Sequence, residues 1–129
     1  MKKILETRDF QSKASSVWEI ISDISRSDWV PGVESIELDG NKRIFKMTGL
    51  GNLVEEIIDC DDSKMKLTYS AIETMAPIAH HLAIIQLYED GNNTIFEWST
   101  EIDPPNFADA IHQGMVASLD QLEQILIKT

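Results

Sequence analysis

The chain has 129 residues, one domain's worth of core, with an ordinary hydrophobic content of 43% and charged content of 26%. Its net charge is −11, and no Lys or Arg occurs between Leu67 and Ile127, the reverse of the basic footprint that nucleic acid or an anionic membrane surface requires. No apolar run approaches the roughly 18 residues of a membrane span, and the lone cysteine, Cys60, excludes an internal disulfide and fits a reducing cytoplasm.

Met1-Lys2-Lys3-Ile4-Leu5-Glu6 has two lysines but no apolar run behind them, which argues against a signal peptide. Residues 3–10 read as a strand. Ser12 or Ser15 is placed to cap a short helix, patterned by Val17, Trp18, Ile20, Ile21 and Ile24 and ending near Asp23. Ser25 to Pro31 is a bend with room for one more helical turn, closed by Trp29 and Pro31-Gly32.

From Val33 the period changes from helical to strand-like. Val33 to Leu38 and Ile44 to Met47 flank Asp39-Gly40-Asn41, a strong hairpin signal. Gly49 to Asn52 is the next turn, Leu53 to Cys60 the next strand, and Asp61 to Lys64 a polar turn. Met65, Leu67, Tyr69 and Ala71 then alternate with Lys66, Thr68 and Ser70, as in a sheet with one dry and one wet face. A loop from Glu73 to Pro77 leads to a strand from Ile78 to Glu89. Asp90-Gly91-Asn92-Asn93 turns it, and Thr94 to Ile102 is the last strand.

Asp103-Pro104-Pro105 stops that strand, and Asn106 is a candidate N-cap for the helix that follows. Phe107, Ile111, Met115, Leu119, Leu122 and Leu126 form one apolar stripe, opposite Asp109, Gln113, Asp120 and Gln124. A helix of this length spans roughly 32 Å and needs a broad partner surface. Gly114 and Ser118 break the stripe's pattern. They predict a close approach or slight bend at Gly114 and a polar contact at Ser118. The half from Phe107 to Met115 is expected to wall a pocket, and the half from Leu119 to Leu126 to anchor the helix.

Tight turns make successive strands antiparallel neighbours, and a sheet of about seven strands curls through its own twist. The expected architecture is a single α+β domain over residues 1–129. It consists of a curved antiparallel sheet around a long C-terminal helix, with two short helices after the first strand.

This order resembles the helix-grip fold of the START-like, or SRPBCC, superfamily. The marks are Val17-Trp18-Glu19-Ile20-Ile21-Ser22-Asp23, then Trp29 through Leu38, Glu55-Glu56-Ile57, Leu67-Thr68-Tyr69-Ser70, Phe96-Glu97-Trp98-Ser99 and Ser118-Leu119-Asp120-Gln121-Leu122. They sit best with the bacterial polyketide cyclase/dehydrase-like branch. The superfamily holds carriers, lipid-transport domains, receptors and enzymes, so the resemblance specifies fold better than reaction. It implies a cavity between sheet and helix for a small, mostly apolar ligand.

Strand and helix periodicity independently nominate the lining: Phe45, Met47, Glu55, Ile57, Tyr69, His81, Ala83, Ile85, Phe96 and Trp98 from strands, and Phe107, Ile111 and Met115 from the helix. Ile57 and Ile58 are both apolar, so the phase of the strand over 53–60, with Glu55 or Glu56 inward, stays open. Glu55 matches the place where many members of the superfamily put a carboxylate facing the cavity. A buried carboxylate acts as an anchor or an acid/base group. On its strand His81 faces in and His80 out, so Glu55, Tyr69 and His81 are the candidates for a polar row and for any catalysis.

Adjacent strand positions point His80 and His81 apart, and neither His112 nor Cys60 joins them, so no metal site is expected. No Gly-x-Ser-x-Gly elbow and no phosphate loop occurs, so no cofactor is expected. The loops at Gly49–Asn52 and Glu73–Pro77 fall at one end of the sheet, where the resemblance implies an entrance.

The leading expectation is binding of a small hydrophobic or amphipathic molecule, lipid-like or polyketide-like, by a monomer or homodimer in the cytoplasm. The alternatives are a cyclase- or dehydratase-type enzyme working in the same cavity, and a protein-interaction module whose cavity is closed.

Overall fold

The computed structural model of the chain describes residues 1–128. Seven strands form one antiparallel sheet: β1 (Lys2–Phe10), β2 (Val33–Asp39), β3 (Lys42–Met47), β4 (Gly51–Asp61), β5 (Lys66–Glu73), β6 (His80–Asp90) and β7 (Asn93–Asp103). Their order in space is β1-β7-β6-β5-β4-β3-β2. Helix α1 (Ala14–Ser22) follows β1, and helix α2 (Ala108–Ile127) ends the fold after a 3-10 turn over Pro105–Phe107. This is the expected curved sheet gripping a long C-terminal helix.

The order follows from local chemistry. Asp39-Gly40 and Asp90-Gly91 take the left-handed turn conformation at glycine, with φ of +61° at both Gly40 and Gly91. That geometry joins neighbouring antiparallel strands without strain. β1 instead reaches the sheet's far side through α1 and pairs along its whole length with β7, from Lys2↔Ile102 to Phe10↔Thr94.

The dry face of the sheet packs on α1 and α2. Phe10, Val17, Ile21, Leu67, Ile85, Leu87, Phe96, Leu119 and Leu122 are fully or almost fully buried there. Burying a side chain of this size contributes about 1.5–3 kcal/mol. Two side-chain contacts strap α2 to β1. Glu6 and Arg8 share the inward phase of Ile4 and Phe10, at the sheet edge beside the helix. Arg8 Nη1 donates to Asp120 Oδ1 at 2.7 Å, and the His112 ring bonds Glu6.

Four local expectations are corrected. The second short helix is absent: residues 24–30 form turns closed by Arg26 N–H to Asp23 O and Val30 N–H to Ser27 O. Asp23 Oδ1 accepts from both the N–H and the hydroxyl of Ser25, a local alternative to helix continuation. Neither Ser12 nor Ser15 caps α1. Lys13 holds that position without a side-chain bond, and Ser12 O instead accepts from Thr94 Oγ1. Asn106 lies inside the 3-10 turn, and Phe107 precedes α2. Gly114 is exposed, with open space where a Cβ would project. It lies about 100° of helix turn from Met115, so it faces solvent and makes no close approach. Ser118, in contrast, is buried.

Candidate functional site

The inward strand positions form rows across the sheet. One row runs Ile57, Tyr69, Ala83, Thr100 and Ile4. The adjacent row holds Arg43, Glu55 and Ala71 on one side and His81 and Ile102 on the other. α2 begins just past the end of β7, so its N-terminal half lies at this end of the sheet. There Thr100 Oγ1 donates to Met115 Sδ at 3.6 Å.

β4 resolves its phase through bulges. Between Ile57 and Asp59, β4 advances two residues while β5 advances one, so Ile58 is the extra residue. Ile57 therefore stays buried and Ile58 turns outward. A second irregularity, between Val54 and Glu55, leaves Ile72 as the extra residue on β5. Glu55 is then the inward carboxylate.

Four polar side chains gather on this otherwise apolar face. Arg43 Nε donates to Glu55 Oε1 at 2.7 Å, and the two side chains are only 11% and 15% exposed. The Arg43 guanidinium also lies over the Tyr69 ring, 4.7 Å from its centroid, a favourable cation–π placement. The Tyr69 and His81 rings follow with centroids 6.0 Å apart. His81 Nδ1 accepts a 2.8 Å bond from the Ala71 backbone N–H. In the neutral ring the proton is therefore on Nε2.

Burial, and then the charge of Glu55, push the Tyr69 phenol well above its ordinary range, so it stays a hydroxyl; Arg43 opposes this. Burial pulls the His81 pKa below its usual value. Glu55 opposes that shift and His80 adds to it. A neutral imidazole fits its acceptor bond to Ala71. The Trp98 indole N–H lies near enough to Tyr69 to favour the phenolate slightly, yet it completes no hydrogen bond of ordinary geometry among the described residues.

The nominated residues divide into groups. Glu55, Tyr69 and His81 meet in the polar cluster, with Trp98 beside them. Ile57 and Ala83 flank Tyr69 in its row. Phe96 packs edge-on against Phe10, with ring centroids 5.7 Å apart, and lies beside Trp98. Phe45 and Met47 sit towards the β2 end, Ile85 is deep in the core, and Phe107 at the end of the 3-10 turn and Ile111 on α2 are half-buried. Arg43 was not nominated. Its signal was available, since it shares the phase of Phe45 and Met47, but a charged residue on a strand is ordinarily assigned to the wet face.

Phe45, Trp98 and Met115 are all buried between sheet and helix. Two depressions lie instead on the strands. One, of about 380 Å³, is lined by Ile58, Ser70, Ala71, Ile72, Ile78, Ala79, His80, His81 and Leu82. The other, of about 560 Å³, lies between Ser63–Met65 and Gln86–Glu89. The two loops at the sheet end touch: a Cβ on Gly51 would fall 2.1 Å from Met75 Sδ. Cys60 is exposed, and burial together with Asp62, Asp59 and Asp61 pushes its thiol pKa up. Among the described residues, no three His, Cys, Asp or Glu side chains are grouped to hold a metal, and no helix is long and apolar enough to cross a membrane.

The fold is shared widely among solved structures. Protein XoxI from Bacillus cereus superposes with a TM-score of 0.90 at 22% identity, over 98% of this chain and 96% of that one. A START superfamily protein from Mycobacterium smegmatis gives 0.85 at 10% identity, over 98% and 97%. Norcoclaurine synthase from Thalictrum flavum, solved with dopamine and hydroxybenzaldehyde, gives 0.79 at 17% identity, over 98% and 87%. No curated protein matches the sequence. The model of the family described as "Polyketide cyclase / dehydrase and lipid transport" matches residues 1–126. With its helix-grip fold and this match over nearly its whole length, the chain belongs to the polyketide cyclase/dehydrase and lipid transport family.

Proposed function

We propose that this protein binds a small hydrophobic or amphipathic molecule between the sheet and α2. Phe45, Met47, Ile57, Ala83, Ile85, Phe96, Trp98, Phe107, Ile111 and Met115 would supply apolar contact, and Glu55, Tyr69 and His81, joined by Arg43, the polar anchor. The observation that carries this reading is the Arg43–Glu55 pair set into an apolar face. Such a pair is ordinarily less stabilising than apolar side chains of the same volume, so a role in recognition accounts for it. The Arg43 Nη atoms and Glu55 Oε2 have no hydrogen-bond partner among the described residues, which leaves them for a ligand. The packed interior yields where its side chains are adaptable, and Met47 and Met115 are the flexible ones.

Binding fits this site better than turnover. Glu55 is held by Arg43, His81 Nδ1 is engaged by Ala71, and Tyr69 keeps its proton, so the basic atom left is the second Glu55 oxygen, on a carboxylate already paired with Arg43. The lone cysteine supports a reducing, cytoplasmic setting. The acidity supports a partner that is not nucleic acid.

The test is native mass spectrometry of protein purified from its own host, followed by thermal denaturation against a lipid and polyketide panel. A co-purified small molecule, or a panel member that raises Tm, is expected. If neither is seen, the second reading takes over. That reading is a protein-interaction module with a closed interior, favoured by the burial of Phe45, Trp98 and Met115.

A further inference from the structure

The sheet is split at one place. β5 and β6 pair over only four residue pairs, from Lys66↔Gln86 to Tyr69↔Ala83. Beyond Tyr69 both chains remain strands, but each pairs only with its other neighbour: β5 with β4 as far as Glu73, and β6 with β7 from His80. The backbone ladder across the seam is replaced by two bonds to one residue. The Ala71 N–H donates to His81 Nδ1, and the Ser70 hydroxyl donates to the His81 carbonyl.

The seam is also hollow on its outer side, where apolar side chains mix with Ser70, His80 and His81. The depression of about 380 Å³ lies over it, with Ile58, Ile72, Ile78 and Leu82 in its wall. Ile58 and Ile72 are the two extra residues of the β4–β5 bulges, and both are exposed. Bulges bend a strand and re-aim its side chains, and here both deliver an isoleucine to the mouth of the seam. The inner side of the seam meets the polar cluster, because the ring of His81 that fills it packs against Tyr69.

From this placement we infer that the β5–β6 seam is a lateral port for an apolar ligand, and that the His81 ring is its gate. The inference rests on the ligand-binding reading above and adds the route. With the ring in place, Ala71 N–H is satisfied and the interior is shut. With the ring swung out, the gap joins the outer depression, with its four aliphatic side chains, to the inner face. Protonating Nδ1 converts that acceptor to a donor facing the Ala71 N–H, which breaks the latch. The charged and titratable groups around the ring are Glu55 on β4, Tyr69 on β5 with Arg43 of β3 over its ring, and His80 on its own strand; β7 presents Ile102.

The test is stopped-flow uptake and release of the fluorescent apolar probe N-phenyl-1-naphthylamine by the whole chain. His81→Ala should raise both on-rate and off-rate about tenfold, the kinetic equivalent of one lost hydrogen bond. His81→Asn, whose amide oxygen replaces Nδ1 as acceptor, should restore part of the latch, with rates between those of His81→Ala and the wild type. Wild-type uptake should quicken as the pH is lowered through the titration of His81, with loss of protection at the Ala71 amide, while His81→Asn shows neither change. If His81→Ala does not fold, the wild-type pH series set against His81→Asn decides alone. A His81→Ala protein with an unchanged on-rate and only a faster off-rate would make His81 a simple contact and sink the port. The port also falls if wild type and His81→Asn respond alike to pH. No probe binding by any form would overturn the ligand-binding reading and the port with it, whereas binding at equal rates removes only the port.

Discussion

Arg43 Nε lies 2.7 Å from Glu55 Oε1, with both side chains nearly withdrawn from water. Neighbouring strands place them opposite one another, in a β3–β4 ladder that runs without a shift from Lys42↔Glu56 to Met47↔Gly51. Arg43→Met alone strands the Glu55 carboxylate and should cost about 3 kcal/mol, whereas Arg43→Met with Glu55→Met should be near neutral or stabilising. Urea unfolding of both variants checks this. If the double variant loses as much as the single one, the pair is structural and its recognition role is in doubt.

Trp98 offers a contrasting case. Its buried indole N–H lies near Tyr69 but completes no hydrogen bond of ordinary geometry among the described residues, and an unmet buried donor costs about 1–3 kcal/mol. Trp98→Phe removes that penalty together with some packing, so the net change in stability should be within about 1 kcal/mol. A loss of several kcal/mol would mean that the N–H is satisfied after all.

The two halves of α2 should respond differently. Met115→Trp places a larger ring beside Thr100, whose hydroxyl already lies 3.6 Å from Met115 Sδ, and should block ligand uptake while the fold survives. Leu122 is fully buried, and Leu122→Ala should cost about 2–5 kcal/mol in stability first. Ligand titration and thermal melts of the two variants separate these effects. Equal loss of both properties in both variants would contradict the division.

His81 makes stability depend on pH. Its folded pKa lies below the unfolded value of 6.5, chiefly through burial. The unfolded chain therefore binds the proton first. The contribution of His81 is fully present above 6.5 and is lost as the pH falls towards its lower folded value. His81→Asn should flatten this part of the stability profile in denaturant titrations at a series of pH values. A steeper profile in the variant would reverse the assigned sign.

Gly51 tests the contact between the end loops. Its φ is +77° and Met75 Sδ occupies the space of a Cβ. Gly51→Ala should cost about 1–2 kcal/mol for the left-handed backbone and displace Met75, seen as a shift of its methyl resonance. An unmoved methyl signal would show that the two loops do not touch in solution.

Arg43 and the seam show where reading the chain stops. The alternation of β6 and β7 identifies Ala83, Ile85, Phe96 and Trp98 as inward because neighbours two apart on a strand share a face, a property of the local backbone. Arg43 has the same phase as Phe45 and Met47, but only its partner Glu55, 12 residues away in sequence, explains a charge on that face. Ile57-Ile58 left the phase of β4 open because a bulge is a mismatch between two strands and neither strand alone encodes it. Gly114 in the stripe's sequence predicts a close approach or slight bend, yet the rotation of α2 about its axis, set by its buried stripe, turns it to open space.

By itself the sequence determined the element order, the turns, the apolar stripe of α2 and the α+β architecture, because these follow from backbone preferences and from side-chain periods within short windows. Tertiary structure alone decided that Arg43 neutralises Glu55, that His81 bridges β5 and β6 where their ladder ends, and that Phe45, Trp98 and Met115 are buried. Each depends on the distance between groups remote in the chain, which is set when the sheet curls and its strands choose a register.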